Sequence, residues 1–147
     1  MREISAATIT KAIRDMCIEA NYGLAPDMRK VFEKAVEEEE SPLGRQVLEQ
    51  LKENLRIAGE DSIPICQDTG MAVVFMKIGQ DVHITGERLA DAVNEGVRQG
   101  YEQGYLRKSV VGDPIERINT KDNTPAVIHC EITDGEQIDI TVAVSYT

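Results

Sequence analysis

The hydrophobic period of the sequence changes near residue 61, and this change constrains the fold class. Over residues 1–60, apolar residues recur at spacings of three and four, which is typical of amphipathic helices. From Met71 to Ile78 the chain becomes a run of strand-forming residues. The sequence therefore predicts a single α+β domain over residues 1–147, with a helical part at 1–60 and an α/β part at 61–147.

The helical part is predicted to form three helices that make one layer. Helical periodicity begins at the N-terminus itself, and the first helix ends before Gly23. Pro26 suits the first turn of the second helix, and Ser41-Pro42 suits the start of the third, which Gly59 ends.

The α/β part is predicted to form a small mixed or antiparallel sheet with one helix packed on it. We expect Met71–Ile78 to be a strand buried on both faces, because Val73, Val74 and Phe75 stand in a row without a polar residue between them. Val82–Thr85 is a second, short strand. The last two strands, 126–132 and 137–144, are joined through Asp134-Gly135, a pair that favours a β-hairpin.

The helix predicted at 87–104 carries a glycine at every fourth position, at Gly96, Gly100 and Gly104. Each glycine costs about 1 kcal/mol of helix stability relative to alanine. We therefore expect a neighbouring backbone to pack closely against this helix.

The charge balance excludes several classes of partner. Acidic residues outnumber basic ones by 26 to 16, for a net charge of −10, whereas nucleic acids and anionic membranes attract clustered lysine and arginine. No apolar run approaches the length of a membrane span, and the N-terminus has no apolar signal-peptide core. The sequence predicts a cytoplasmic protein that binds neither nucleic acid nor membrane.

The three cysteines occupy different sequence environments. They are widely spaced with no CxxC pair, which argues against a disulfide scaffold or a self-contained metal site. Cys17 lies on the apolar face of the first helix, and Cys130 shares a strand face with Ile128 and Ile132, so both are expected in the core. Only Cys66 lies in a loop among polar residues.

That loop, Pro64–Gly70, holds the densest group of reactive side chains. Cys66, Gln67, Asp68 and Thr69 are consecutive and are closed by Gly70, whose backbone freedom allows the side chains of a turn to converge. Asp68 could donate or accept a proton, and Gln67 offers two donors and an acceptor. We interpret this loop as a candidate site.

A basic stretch follows in an otherwise acidic chain. Arg107, Lys108 and Arg117 suggest a small anionic substrate, because an arginine fork binds a carboxylate through two hydrogen bonds. The alternative is that these cations pair on the surface with Glu102, Asp113 and Glu116. The string Asp122–Ala126 follows, and its residues are typical of a turn.

Together these strings resemble iron–sulfur hydro-lyases of the class I fumarase and tartrate dehydratase family. The resemblance extends to about Ala143 and is with the N-terminal part of the alpha subunit. It rests on Cys66–Gly70, Leu106–Ser109, Asp113-Pro114, Arg117, Asn119-Thr120 and Asp122–Ala126, which occur in the family's order.

The resemblance implies an enzyme that adds water to fumarate at a [4Fe-4S] cluster. It assigns Cys66 as a cluster ligand and Asp68 as the catalytic carboxylate that contacts the departing hydroxyl. It also assigns Gln67 and Arg107, with Asp68, to substrate binding. The substrate would be a small dicarboxylate, and tartrate dehydration is the nearest alternative reaction.

The same resemblance implies that the site is incomplete in this chain. The family's other two cluster cysteines do not match Cys17 or Cys130, so we expect no intact cluster and no activity from the isolated chain. The remainder of the alpha subunit and a beta subunit are the expected partners, and a homo-oligomer is expected because strand edges and apolar surface favour self-association. Truncation is expected too, since the chain stops barely past its last strand. A non-catalytic subunit-interaction domain is the alternative of another class.

Overall fold

The structure is a computed structural model that describes residues 1–145, in which four helices and five strands form. The elements are β1 (Arg2–Ser5), α1 (Ala6–Tyr22), α2 (Pro26–Glu38), α3 (Pro42–Asp61), β2 (Met71–Gly79), β3 (Val82–Thr85), α4 (Leu89–Gln103), β4 (Val127–Thr133) and β5 (Ile138–Ser145). The predicted α+β class is confirmed by these helices and by two sheets of mixed strand direction.

The first residues form a strand rather than the predicted start of a helix. β1 pairs in parallel with β3, with Ile4 opposite Ile84. Ser5 then caps α1, because its hydroxyl accepts a hydrogen bond from the backbone N–H of Thr8 at 3.3 Å. The helical period hid this short strand, since four residues are too few to establish a period of two.

The larger sheet has the strand order β4-β2-β5. β4 runs parallel to β2, and β5 runs antiparallel to it. The β-hairpin predicted for β4 and β5 is therefore wrong, because these strands lie on opposite sides of β2.

The link between β4 and β5 crosses the end of β2. Gly79 donates its backbone N–H to the carbonyl of Gln137 at 2.7 Å, and Asp81 donates to that of Gly135 at 3.0 Å. A Cβ on Gly79 would come within 2.2 Å of the Gly135 oxygen. The crossing therefore requires glycine at position 79.

The core lies between one face of this sheet and the helices α1 and α4. In β2 the buried side chains alternate, at Ala72, Val74, Met76 and Ile78. The expectation that β2 is buried on both faces is wrong, because Phe75 on the opposite face is 46% exposed. Phe75 stacks there on His129, with ring centroids 5.0 Å apart.

The glycines of α4 permit a close contact with α1, as predicted. A Cβ on Gly96 would lie 2.7 Å from Ile13 Cβ, and one on Gly100 would lie 2.8 Å from Cys17 Cβ. Such distances are shorter than real Cβ contacts, so the two helices pack with backbone against side chain.

Helices α2 and α3 contribute little to the core. No side chain of α2 is buried in the described chain, and Ala58 is the one buried residue of α3. Neither these nor the other described helices are long and apolar enough to cross a membrane.

Candidate functional site

The loop that carries Cys66 connects α3 to β2 and is anchored at its beginning by Ile65. The backbone N–H of Ile65 donates to the carbonyl of Asn21, at the end of α1, at 2.8 Å. Its carbonyl accepts from Nδ2 of Asn54, on α3, also at 2.8 Å. Two helices therefore fix the residue that precedes Cys66.

The loop is anchored again at Thr69 and Gly70, which are both buried. The Tyr101 hydroxyl lies 2.8 Å from the Thr69 carbonyl and 2.9 Å from the Gly70 carbonyl. The Thr69 hydroxyl donates to the carbonyl of Arg107 at 2.8 Å. Gly70 has φ +59°, a left-handed conformation that suits glycine. This end of the loop is therefore joined to α4 and to the segment that follows it.

Cys66, Gln67 and Asp68 project from between the two anchors and are all exposed. The Cys66 thiol donates to the carbonyl of Asp68 at 3.1 Å. One Asp68 carboxylate oxygen, Oδ1, accepts from the Gly70 N–H at 3.4 Å. The loop therefore presents a thiol, an amide and a carboxylate on a segment whose ends are fixed.

Asp68 lines two neighbouring cavities. The first, of about 230 Å³, is also lined by Cys66 and by Asn21 and Val144; we call it the thiol-side cavity. The second, of about 340 Å³, is lined by Asp68 with Arg107 and Ser109; we call it the arginine-side cavity. The structure therefore brings Asp68 beside both Cys66 and Arg107, whereas Gln67 lines neither cavity.

Of the three cations in this stretch, Arg107 is the one that lines a cavity beside Asp68. Lys108 and Arg117 line neither cavity. The alternative, in which these three cations pair on the surface with Glu102, Asp113 and Glu116, is not observed in the described residues. Glu102 pairs with Arg98 at 3.6 Å. Among residues 1–145, no ion pair involves Arg107, Lys108 or Arg117.

Asp113 begins a turn in the segment that follows Arg107. Its Oδ1 accepts from the backbone N–H groups of Glu116, at 2.9 Å, and Ile115, at 2.8 Å. These two hydrogen bonds stabilise the carboxylate and lower the pKa of Asp113 below its ordinary value. The Asp113 carboxyl therefore serves as a turn former rather than as the partner of a surface cation.

Asn123 is the residue of this region that sequence reasoning missed. The string around it is typical of a turn, and Asp122 does accept hydrogen bonds from Thr124 within that turn. The Asn123 side chain, however, is fully buried. Its Oδ1 accepts from the N–H groups of Ser109 at 2.7 Å and Val110 at 3.1 Å, and its Nδ2 donates to the Gly70 carbonyl at 3.1 Å. The sequence around Asn123 indicates only that its side chain is polar. It does not identify the hydrogen-bond partners, because these are 13 to 53 residues away.

The three cysteines lie in different surroundings. Cys17 is buried between α1 and α4, and burial raises its pKa to about 12. The expectation of a buried Cys130 is wrong, because its strand is at the edge of the sheet and Ile132 on the same face is 68% exposed. In the described part of the chain no three His, Cys, Asp or Glu side chains converge as a metal site would require.

Known proteins match most of this chain. The family model described as "Fumarate hydratase (Fumerase)" matches residues 10–145. A "Putative L(+)-tartrate dehydratase subunit alpha" of Methanocaldococcus jannaschii is 34% identical over 78% of this chain and 40% of its own length. The aerobic class I fumarate hydratase of Escherichia coli is 30% identical over 92% of this chain and 25% of its own length. The L(+)-tartrate dehydratase subunit alpha of Escherichia coli is 29% identical over 71% of this chain and 35% of its own length. The chain spans less than half the length of these relatives.

Proposed function

We propose, from the premise that this chain belongs to the fumarate hydratase (Fumerase) family, that it forms one wall of a hydro-lyase active site. The family match confirms the resemblance drawn from the sequence motifs. The observation that carries the proposal is that Asp68 lies between the thiol-side and arginine-side cavities. A carboxylate with a thiol on one side and a guanidinium on the other can handle a proton while an anionic substrate is held beside it.

The proposed reaction is the reversible hydration of fumarate to malate. Arg107 binds one substrate carboxylate through its guanidinium, which can make two parallel hydrogen bonds. The family resemblance assigns Gln67 to the same substrate, although Gln67 lines neither cavity of this chain. Asp68 protonates the hydroxyl that leaves as water, and in the hydration direction it receives a proton from the water that adds. The base that removes the carbon-bound proton comes from outside this chain.

Cys66 is the one residue of this chain that we assign to the [4Fe-4S] cluster. Its thiol is exposed in a loop, which suits a cluster ligand, whereas Cys17 is enclosed in the helix core. Because no three suitable side chains converge within residues 1–145, these residues do not fit a complete cluster. The remaining ligands come from the remainder of the alpha subunit, and a beta subunit completes the site.

A second candidate reaction is the dehydration of tartrate. The relative with 34% identity is described as a tartrate dehydratase subunit, and it favours this alternative. A third candidate, a non-catalytic subunit-interaction domain, is favoured by the exposed apolar residues of α2 and α3, among them Val31, Leu43 and Leu51. Homo-oligomer formation is proposed on the same observation.

The test is an anaerobic assay of this chain assembled with the remaining alpha segment and the beta subunit. Fumarate hydration and tartrate dehydration are measured for the wild type, for Cys66→Ser and for Cys130→Ser as the matched control. We expect Cys66→Ser to abolish activity and Cys130→Ser to retain it. Activity of Cys66→Ser equal to that of the wild type would contradict the ligand role, and a wild-type assembly inactive on both substrates would favour the non-catalytic domain.

A further inference from the structure

The carboxamide of Asn123 connects the two segments that line the candidate site. It donates to the carbonyl of Gly70, at the end of the Cys66 loop, and accepts from the N–H groups of Ser109 and Val110, just beyond Arg107. Gly70 precedes Asn123 by 53 residues, and Ser109 and Val110 precede it by 14 and 13. One side chain therefore bonds both the loop that carries Asp68 and the segment that carries Arg107.

Burial and geometry single out this amide for that role. Asn123 is fully buried and its φ is +63°, a left-handed conformation that asparagine adopts more readily than most residues. Three hydrogen bonds use most of the capacity of the carboxamide, which has two donors and two acceptor lone pairs. A leucine of similar size could make none of these bonds, and an aspartate could accept from Ser109 and Val110 but could not reproduce the amide donor to Gly70.

The hydrogen bonds of Asn123 end on residues that line the arginine-side cavity, although Asn123 itself is not part of the lining. Gly70, Ser109 and Val110 line the arginine-side cavity together with Asp68 and Arg107, whereas Asn123 does not line it. Asn123 is therefore outside the lining of that cavity, but its hydrogen bonds hold the backbone on both of the cavity's walls.

We propose that Asn123 is a positioning residue that sets the separation between Asp68 and Arg107. A further direct hydrogen bond, from the Thr69 hydroxyl to the Arg107 carbonyl, joins the same two segments. Loss of the Asn123 side chain therefore makes the separation of the two segments more variable but does not detach them from each other. We call the three hydrogen bonds by which Asn123 joins the two segments the clamp. The catalytic meaning of this inference rests on the proposed function, whereas the existence of the clamp does not.

The variant Asn123→Gly removes the amide without imposing strain, because glycine tolerates a positive φ. Lys121→Gly is the matched control, since Lys121 also has a positive φ of 69°, is exposed, and keeps its backbone bond to Asn119. Asn123→Asp is the second variant, because it keeps an acceptor for Ser109 and Val110 and removes the donor to Gly70.

The first measurement is amide hydrogen exchange in the full chain, resolved by residue. In the wild type the Ser109 and Val110 amides are expected to be protected, and in Asn123→Gly they exchange about tenfold faster, as loss of a typical hydrogen bond implies. The increase at Ser109 and Val110 is expected to exceed any increase at core amides such as Val97, which report the global free energy of unfolding, and all of these amides keep their wild-type rates in Lys121→Gly. Asn123→Asp retains protection at Ser109 and Val110. Unprotected amides in the wild type, or unchanged protection in Asn123→Gly, would overturn the clamp.

The second measurement is steady-state kinetics of the assembled enzyme with fumarate. A purely structural role lowers the amount of active enzyme, and hence the apparent kcat, but leaves KM unchanged. A positioning role raises KM, and we expect an increase of about tenfold for Asn123→Gly and a smaller one for Asn123→Asp. A KM for Asn123→Gly equal to that of Lys121→Gly would overturn the inference. A wild-type assembly inactive on both fumarate and tartrate would instead overturn the proposed function and leave the exchange result to decide the clamp.

Discussion

Gly100 of α4 lies against Cys17 of α1 so closely that a Cβ at position 100 would be 2.8 Å from the Cys17 Cβ. The same Cβ would be 3.0 Å from the carbonyl oxygen of Arg14. The next residue, Tyr101, is the one whose hydroxyl holds Thr69 and Gly70. The close approach of these two helices therefore fixes the position of the Cys66 loop as well as the core.

Substitution of Gly100 by alanine should destabilise the protein. Overpacking costs about 1–3 kcal/mol, which exceeds the roughly 1 kcal/mol that alanine gains in helix propensity. Gly59→Ala is the matched control, because Gly59 lies in helix α3 and a Cβ at that position would have no neighbouring atom within 4 Å. We expect Gly59→Ala to raise the free energy of unfolding in urea titrations and Gly100→Ala to lower it. The same sign for both would contradict the close contact.

Local patterns predicted the four described helices and four of the five described strands, because each of these elements carries its own period and its own end signals. Strand β1 was missed, because four residues do not establish a period. The four-residue glycine spacing of α4 also predicted a close contact correctly. The arrangement of β4 and β5 could not be predicted, since Asp134-Gly135 favours a reversal of the chain whether the strands that it joins pair with each other or flank a third. The decisive residue is Gly79, whose role depends on the approach of Gly135 from a distant part of the chain.

The residues of the candidate site also fall into two groups, those that the sequence could predict and those that it could not. Cys66, Gln67 and Asp68 could be identified because they are adjacent and polar in a loop. Asn123 and Tyr101 could not, because they lie 53 and 31 residues from Gly70 and act through its backbone carbonyl. A sequence records which side chains are reactive more readily than it records which side chains hold a backbone in place.

Replacement of Tyr101 by phenylalanine should weaken the anchor of the Cys66 loop. It removes the hydroxyl that donates to the carbonyls of Thr69 and Gly70, while Gly70 keeps its bond from Asn123. An unsatisfied buried carbonyl costs about 1–3 kcal/mol, so we expect a loss of this order in the free energy of unfolding. The control is Tyr105→Phe, at a side chain that is 89% exposed, and it should have no measurable effect. Equal stability of the two variants would show that the Tyr101 bonds contribute nothing.

Stability should fall on the alkaline side because of Cys17. Burial raises the pKa of this thiol from its ordinary value of 9.0 to about 12 in the folded chain. Between these values the unfolded chain loses the proton while the folded chain keeps it. The stability due to the neutral buried thiol is thus fully present below pH 9 and is lost as pH rises towards 12, at up to about 1.4 kcal/mol per pH unit.

Urea titrations between about pH 8 and pH 10 check this expectation. Cys17→Ala should be less stable than the wild type at the lower pH but should show a flatter decline as pH rises. Cys130→Ala, at an exposed thiol, should decline as the wild type does. An unchanged slope in Cys17→Ala would show that the buried thiol is not the source of the alkaline loss.

Arg107 should set the affinity of the assembled enzyme for its dicarboxylate. A hydrogen bond to a charged group contributes about 1.5–3 kcal/mol, so Arg107→Gln should raise KM for fumarate by roughly 10- to 100-fold. Arg107→Lys should restore the value only partly, because an ammonium group cannot make the two parallel bonds of a guanidinium.

The control for Arg107 is Arg88→Gln. Arg88 is an exposed arginine that precedes the first residue of α4, whereas Arg107 follows its last turn. A helix of this length spans about 22 Å, so Arg88 lies well away from the arginine-side cavity and its variant should keep the wild-type KM. If Arg107→Gln and Arg88→Gln give the same KM, the guanidinium in that cavity does not bind the substrate, and the carboxylate is held by residues from the partner segments.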